Sequence, residues 1–254
     1  MKFIIAPAKK MIRAQDDFPV QSQPKYRAQA GELLLLMQQL TFSEAQALWH
    51  TSDKLTQTAY NQLQQCDLTR RQSPAIFSYS GIQYQYMAPD LLDDAGLVYI
   101  QQHLRILSGL YGILRPFDGV VPYRLEMQNH LRLPHHRNLY DFWGNRLYQA
   151  LARMPGPIIN LASDEYAKAI RPYLQAKDQF IDVRFAHRVN GQLKTRATYA
   201  KMARGEMIRF AASHRLTKAA DLKNFDSPTY RFDAHLSTAT QLVFIRSEEH
   251  TSEL

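Results

Sequence analysis

The chain has 254 residues, 45% hydrophobic and 21% charged, the composition of a globular protein with length for one large domain or two small ones. Its formal charge of +8 favours a polyanionic partner, and a single cysteine, Cys66, excludes an intramolecular disulfide and a cysteine metal cluster. No apolar run approaches a membrane span, and the first residues reach Pro7 and Lys9-Lys10 before a signal-peptide core could finish, so the expected compartment is the cytoplasm.

Lys2 to Ala6 is a short apolar run closed by Pro7, which predicts a buried strand followed by a loop. Lys9 and Lys10 sit at its exit, where α/β proteins place functional loops; a solvated loop pair is the alternative. Asp16 to Pro24, polar with two prolines, reads as loop. Ala28 to Leu40 is helical, with Leu33, Leu36, Met37 and Leu40 at helical spacing. Ser43 and Ser52 are candidate caps for the next two helices. The second of these carries Leu55, Ala59, Leu63 and Cys66 on one face, which makes Cys66 a core thiol rather than a nucleophile. Ala75 to Tyr79 and Ile82 to Tyr86 read as strands about a Ser80-Gly81 turn. Their tyrosines suit a sheet face with hydroxyls at the rim, with base stacking as the alternative.

A helix from about Leu97 is expected to run to Leu107. Ser108-Gly109-Leu110-Tyr111-Gly112 follows, with Gly109 near a C-cap position and two glycines three apart for a tight turn. Helix, Gly-x-x-Gly hairpin and short helix form the outline of a helix-hairpin-helix element, whose hairpin amides hold a nucleic-acid phosphate. The alternative is a packed corner whose glycines only allow close approach. The stretch continues through Arg115-Pro116 to Pro122-Tyr123-Arg124-Leu125-Glu126-Met127.

Asn138 to Met154 is predicted as a helix stopped by Pro155-Gly156-Pro157. Ile158 to Leu161 is a buried strand, and Ser163-Asp164-Glu165 begins a helix. Carboxylates in a first turn are favoured by the helix dipole; a strand-end acid pair also suits acid–base chemistry or a metal. Phe180 to Thr198 reads as a hairpin turning at Asn190-Gly191. Tyr199 to Ser213 is a helix with Ala200, Ala203, Met207, Phe210 and Ala211 on one face and Lys201, Arg204 and Arg209 off it. Thr217 caps a short helix to Leu222, and Thr229 to Asp233 and Gln241 to Ile245 are final strands. Residues 246–254, RSEEHTSEL, are polar and acidic and look like a translated sequencing adapter. We set them apart as a non-native tail, leaving one domain over residues 1–245; without their one Arg and three Glu the charge rises from +8 to +10. No repeat and no linker demands two domains, and strands scattered among helices imply an α+β, mixed α/β fold with a mixed sheet flanked by helices.

The run LRILSGLYGILRPFDGVVPYRLEM resembles the signature of the YaaA family of bacterial peroxide-stress proteins. So do Ile5-Ala6-Pro7-Ala8-Lys9, Ser52-Asp53-Lys54-Leu55, Asp141-Phe142-Trp143-Gly144, Asn160-Leu161-Ala162-Ser163-Asp164-Glu165-Tyr166 and Tyr199-Ala200-Lys201-Met202-Ala203-Arg204-Gly205. The resemblance reaches to about Ile245. It implies a cytoplasmic mixed α/β protein that binds double-stranded DNA through a basic cleft with a helix-hairpin-helix element. It also implies a role in limiting damage from peroxide and free iron.

Arg184 to Lys218 holds nine Lys or Arg against one acid, Glu206, which suggests a phosphate-tracking surface; a solvated face paired with distant acids is the alternative. With the hairpin, this gives a DNA-binding set of Gly109, Leu110, Tyr111, Gly112, Arg115, Lys201, Arg204 and Arg209. Motifs for familiar catalysis are missing: no Walker A loop, Gly-x-Ser-x-Gly, His-Glu-x-x-His or dinucleotide fingerprint occurs. An enzyme acting on an anionic substrate is the second reading, with Lys9, Arg124, Glu126, Asp164 and Glu165 as candidate site residues. Direct iron binding through Asp164, Glu165 and a histidine is a third. No cofactor, metal or membrane partner is otherwise expected.

Overall fold

The first strand, β1 (Lys2–Ile5), is buried along its whole length at the heart of an eight-stranded mixed sheet. The structure is a computed structural model that describes residues 1–13 and 18–247. On one side β1 pairs in parallel with β2 (Leu104–Ser108), which turns back into antiparallel β3 (Gly112–Leu114). On the other it pairs in parallel with β4 (Ile158–Leu161), and β4 with β5 (Phe180–Val189). Antiparallel β6 (Gln192–Lys194) folds back on β5 at Asn190-Gly191, both at positive φ. Beyond β5 lie β8 (Gln241–Arg246), parallel to it, and the edge strand β7 (Tyr230–Phe232). Strands covered on both faces read as near-continuous apolar runs, which is why β1 and β4 stand out in the sequence despite Lys2 and Asn160. The chain fills one side of β1 with β2 and later the other with β4, so the strand order reverses at β1. In open α/β sheets such a point leaves a crevice beyond the carboxyl ends of the strands.

The helices are α1 (Arg27–Gln38), α2 (Phe42–Trp49), α3 (Asp53–Gln64), α4 (Ala75–Ser78), α5 (Ile82–Met87), α6 (Asp94–His103), α7 (Leu139–Trp143), α8 (Arg146–Ala152), α9 (Asp164–Ala167) and α10 (Ala197–Ser213). Thr41, not Ser43, caps α2, in a reciprocal box with Glu44. Ser52 occupies the cap position of α3 without a side-chain bond. On α10, Gly205, Ile208 and Ala212 are buried as well as Ala200, Ala203, Met207 and Ala211 of the expected stripe, with Phe210 partly buried, because the helix packs against α5, α6 and β5 together.

Several expectations need correction. Leu104 to Leu107 belongs to strand β2 rather than to a helix, so Ser108 to Gly112 closes a β-hairpin and no helix-hairpin-helix element forms there. A short apolar run fits either state, and pairing with β1 decides it. Ala75–Ser78 and Ile82–Met87 are helices, not strands; packing of α5 on α10 overrides the β propensity of their tyrosines. Asn138 to Met154 is two helices, parted at Gly144 with φ of +50°. Arg246, which we set with the tail, is the last residue of β8. Asp16 and Asp17 of the predicted loop, and Glu248 to Leu254 of the tail, lie outside the described residues.

Candidate functional site

The crevice at the switch point is a cleft of about 500 Å³. Its lining comes from Ala6 to Lys10 after β1, from Ser163, Glu165 and Tyr166 after β4, and from Tyr123 to Glu126. Ser80 to Tyr84, around the start of α5, and Lys201 and Arg204 on α10 complete it. The Tyr123–Glu126 backbone is held in place from two sides. Trp49 Nε1 donates to the Arg124 carbonyl at 2.7 Å, and the Glu126 amide donates to Asn129 Oδ1 at 2.7 Å. Helices α5 and α10 meet so closely that a Cβ on Gly205 would collide with the Gln83 carbonyl. This close approach brings Gln83 and Arg204 into one cleft.

Charges of both signs converge here. Lys9 Nζ lies 2.8 Å from Glu126 Oε2, the lysine largely exposed and the glutamate largely covered. Burial pushes the Glu165 carboxyl above its ordinary range; its Oε1 accepts from the Gln128 amide at 3.2 Å, which opposes the shift, and nearby Glu126 adds to it. Burial lowers the Arg204 guanidinium, and nearby Asp164 partly restores it. Three donors on residues that line this cleft, Gln83 Nε2, Arg124 Nε and Arg204 Nε, are buried without a hydrogen-bond partner. On the floor, Ser108 Oγ, the Tyr123 hydroxyl and the Tyr79 hydroxyl form a chain with spacings of 2.6 and 2.8 Å. Burial pushes Tyr123 up to about 12, and its hydrogen bonds to Ser108 and Tyr79 only partly offset this, so the ring presents a neutral hydroxyl. Tyr84 donates to the Ala6 carbonyl at 3.0 Å.

The fold thus unites Lys9, Arg124, Glu126 and Glu165 with Lys201 and Arg204 of the DNA-binding set. Asp164 is exposed beside them, acting on Arg204 and Arg171. Arg209 lines a separate groove with Glu206 and Asp226. Gly109, Leu110, Tyr111 and Gly112 are all buried. The Tyr111 amide donates to Ser108 Oγ and the Ile113 amide to the Tyr111 carbonyl, so these two are engaged within the hairpin. Its glycines serve close approach, with a Cβ on Gly109 meeting the Leu125 carbonyl and one on Gly112 meeting the Trp143 ring. Arg115 is paired with Asp118 at 3.3 Å. Sequence reasoning missed Gln83 entirely: a lone amide between tyrosines carries no pattern, and only the contact with α10 gives it a role.

A second basic feature adjoins the first along α10. Hairpin β5–β6 leads directly into the N-terminus of α10, where Arg196 lies over the Tyr199 ring at 5.9 Å and Arg246 at 3.7 Å. His187 on β5 is held below its usual range by burial and then by Arg196, Arg246 and Lys194. Cations outweigh anions around it. The strip continues one turn on to exposed Lys201 at the cleft. Among the described residues no group of three His, Cys, Asp or Glu side chains comes together as a metal site, and no helix is long and apolar enough to cross a membrane.

The family model described as peroxide stress protein YaaA matches residues 1–236. Similar proteins, each named a UPF0246 protein, occur in Lacticaseibacillus paracasei (99% identical over 96% of this chain and 99% of the relative) and Lactiplantibacillus plantarum (58%, with the same coverage). Another, from Lachnoclostridium phytofermentans, is 42% identical over 100% of this chain and 99% of its own length. With nearly the whole chain matched, this protein belongs to the family of peroxide stress protein YaaA.

Proposed function

We propose that this stress protein binds double-stranded DNA, largely without sequence preference, through the cationic strip that runs from hairpin β5–β6 along the first turns of α10. The observation that carries this is the clustering of exposed Lys194, Arg196 and Lys201 along the hairpin and the first turns of α10; Arg196 and Lys194 also add to the effect of burial in lowering His187. Lys194, Arg196 and Lys201 are exposed on this strip, and the long side chains suit phosphates rather than base edges. Each phosphate they neutralise releases condensed cations; we infer that ferrous iron held at such phosphates would be displaced with them, which would link duplex binding to protection against peroxide. The sole cysteine argues against thiol-based peroxide chemistry, because burial pushes Cys66 up to about 11. The test is fluorescence anisotropy with unrelated duplexes of equal length. Equal affinities are expected; strong preference for one sequence, or no binding, contradicts the reading.

The second reading, an enzyme acting on an anionic substrate, is favoured by a different observation. Lys9, Arg124, Glu126 and Glu165, chosen for their charge at strand ends and turns, share one cleft at the sheet's switch point. A cleft of about 500 Å³ has the size of a small-ligand site.

A further inference from the structure

The three unpartnered donors in the cleft have no structural explanation. Buried N–H groups are almost always bonded, and each one left without a partner destabilises the fold. Gln83 is 6% exposed and donates through Nε2 to nothing. Arg124 and Arg204 each bury an unpartnered Nε in the same cleft, with the exposed Lys201 ammonium at its edge. The backbone is built to keep them there. Gly205 lets α10 press on the Gln83 carbonyl, and Trp49 anchors the Arg124 carbonyl. The arrangement gathers several N–H donors of backbone-anchored residues around one cleft, the kind of residue set that recognises an oxyanion. Two guanidinium groups, an amide and an ammonium offer more N–H donors than the two oxygens of a carboxylate can accept. A phosphoryl group, with three terminal oxygens, matches them better.

Glu126 and Glu165 restrict the rest of the ligand. Lys9 already neutralises Glu126, and Glu165 lies near enough to feel both. A second anionic group would be repelled there, whereas a hydroxyl or amino group would donate to the carboxylates. Tyr84, Tyr123 and Tyr166 supply ring surface between the two regions.

We propose that the cleft is a binding site for a small organic phosphate, its phosphoryl group held by Gln83, Arg124 and Arg204 and its hydroxyl or amino end turned to Glu126 and Glu165. The assignment stands on the cleft, not on duplex binding by the strip, and the two share only Lys201 at the cleft's edge.

The test uses the full chain, with isothermal titration and thermal melting against inorganic phosphate, glycerol 3-phosphate and glycerol. Glycerol 3-phosphate should bind saturably and raise Tm, inorganic phosphate should bind more weakly, and glycerol should not bind. Gln83→Met and Arg204→Met should each weaken glycerol 3-phosphate at least about tenfold, the loss of one hydrogen bond to a charged group. Their Tm without ligand should stay level or rise, because each removes an unpartnered buried donor. A purely structural role would lower it instead. The double variant Lys194→Ala, Arg196→Ala should lose duplex affinity and keep glycerol 3-phosphate affinity, separating the two sites. The proposal is overturned if folded protein binds neither phosphate probe, if both Met variants bind as well as the parent, or if both melt lower without ligand. Equal affinity for inorganic phosphate and glycerol 3-phosphate would overturn the assignment to an organic phosphate.

Discussion

Gly205 of α10 lies against the backbone carbonyl of Gln83 in α5, closer than any Cβ could approach. That contact sets the width of the cleft, since Arg204 and Gln83 enter it from these two helices. It also explains why a helix with glycine near its middle persists despite the propensity cost.

Gly205→Ala should therefore destabilise by about 1–3 kcal/mol, the usual cost of overpacking, and spread α5 from α10. Gly31→Ala is the control. Gly31 lies within α1, where an added Cβ would find nothing within 4 Å, and the change should stabilise by about 0.5–1 kcal/mol. Thermal melts of both variants check this; equal effects would remove the packing argument.

Glu165 predicts a pH dependence. Its folded carboxyl titrates above the unfolded one, chiefly from burial, so folding prefers the protonated form. The cost of ionisation is absent below the unfolded pKa and fully present above the folded one. Glu165→Gln should raise Tm near pH 7, and the gain should shrink to nothing as pH falls below the ordinary glutamate range. A gain independent of pH would show that ionisation of Glu165 is not the cause.

Cys66 should be nearly unreactive in the folded protein. Pushed up to about 11, largely by burial, it holds about one part in a thousand as thiolate at pH 8. Iodoacetamide labelling should be slow when folded and fast in denaturant, and Cys66→Ser should protect cells from peroxide as well as the parent. Rapid labelling of folded protein, or loss of protection, would point to thiol chemistry.

Substituting Gly112 should harm folding. Its φ is +72°, and a Cβ would meet the Trp143 ring at 2.7 Å. Gly112→Val should cost at least about 2 kcal/mol from strain and overpacking together. Weakened duplex binding with unchanged stability would instead restore a direct role for the hairpin.

The parts of this molecule legible in sequence are those whose local pattern and tertiary setting agree. Strands β1 and β4 are short apolar runs because both their faces are covered, and α10 shows its stripe because that stripe is buried. The hairpin at Gly109 and Gly112 is ambiguous in sequence. Leu104 to Leu107 suits helix or strand, and only pairing with β1, about a hundred residues away in sequence, decides it. The tyrosines of α5 favour a strand locally and are overruled by α10. Candidate residues Lys9, Arg124, Glu126 and Glu165 are visible as charges at strand ends and turns. Gln83 and Gly205 are not, because their roles exist only in the contact between two helices.

The salt dependence of duplex binding tests the central claim most directly. Affinity should fall steeply with salt, with a log–log slope of about −0.9 for each phosphate contacted. Lys194→Ala, Arg196→Ala and Lys201→Ala should weaken all duplexes alike and each reduce that slope by about one. Arg209→Ala, in the separate groove beside Glu206, should leave it unchanged. Binding that does not depend on salt, or folded protein that binds no duplex at low salt, would contradict the account.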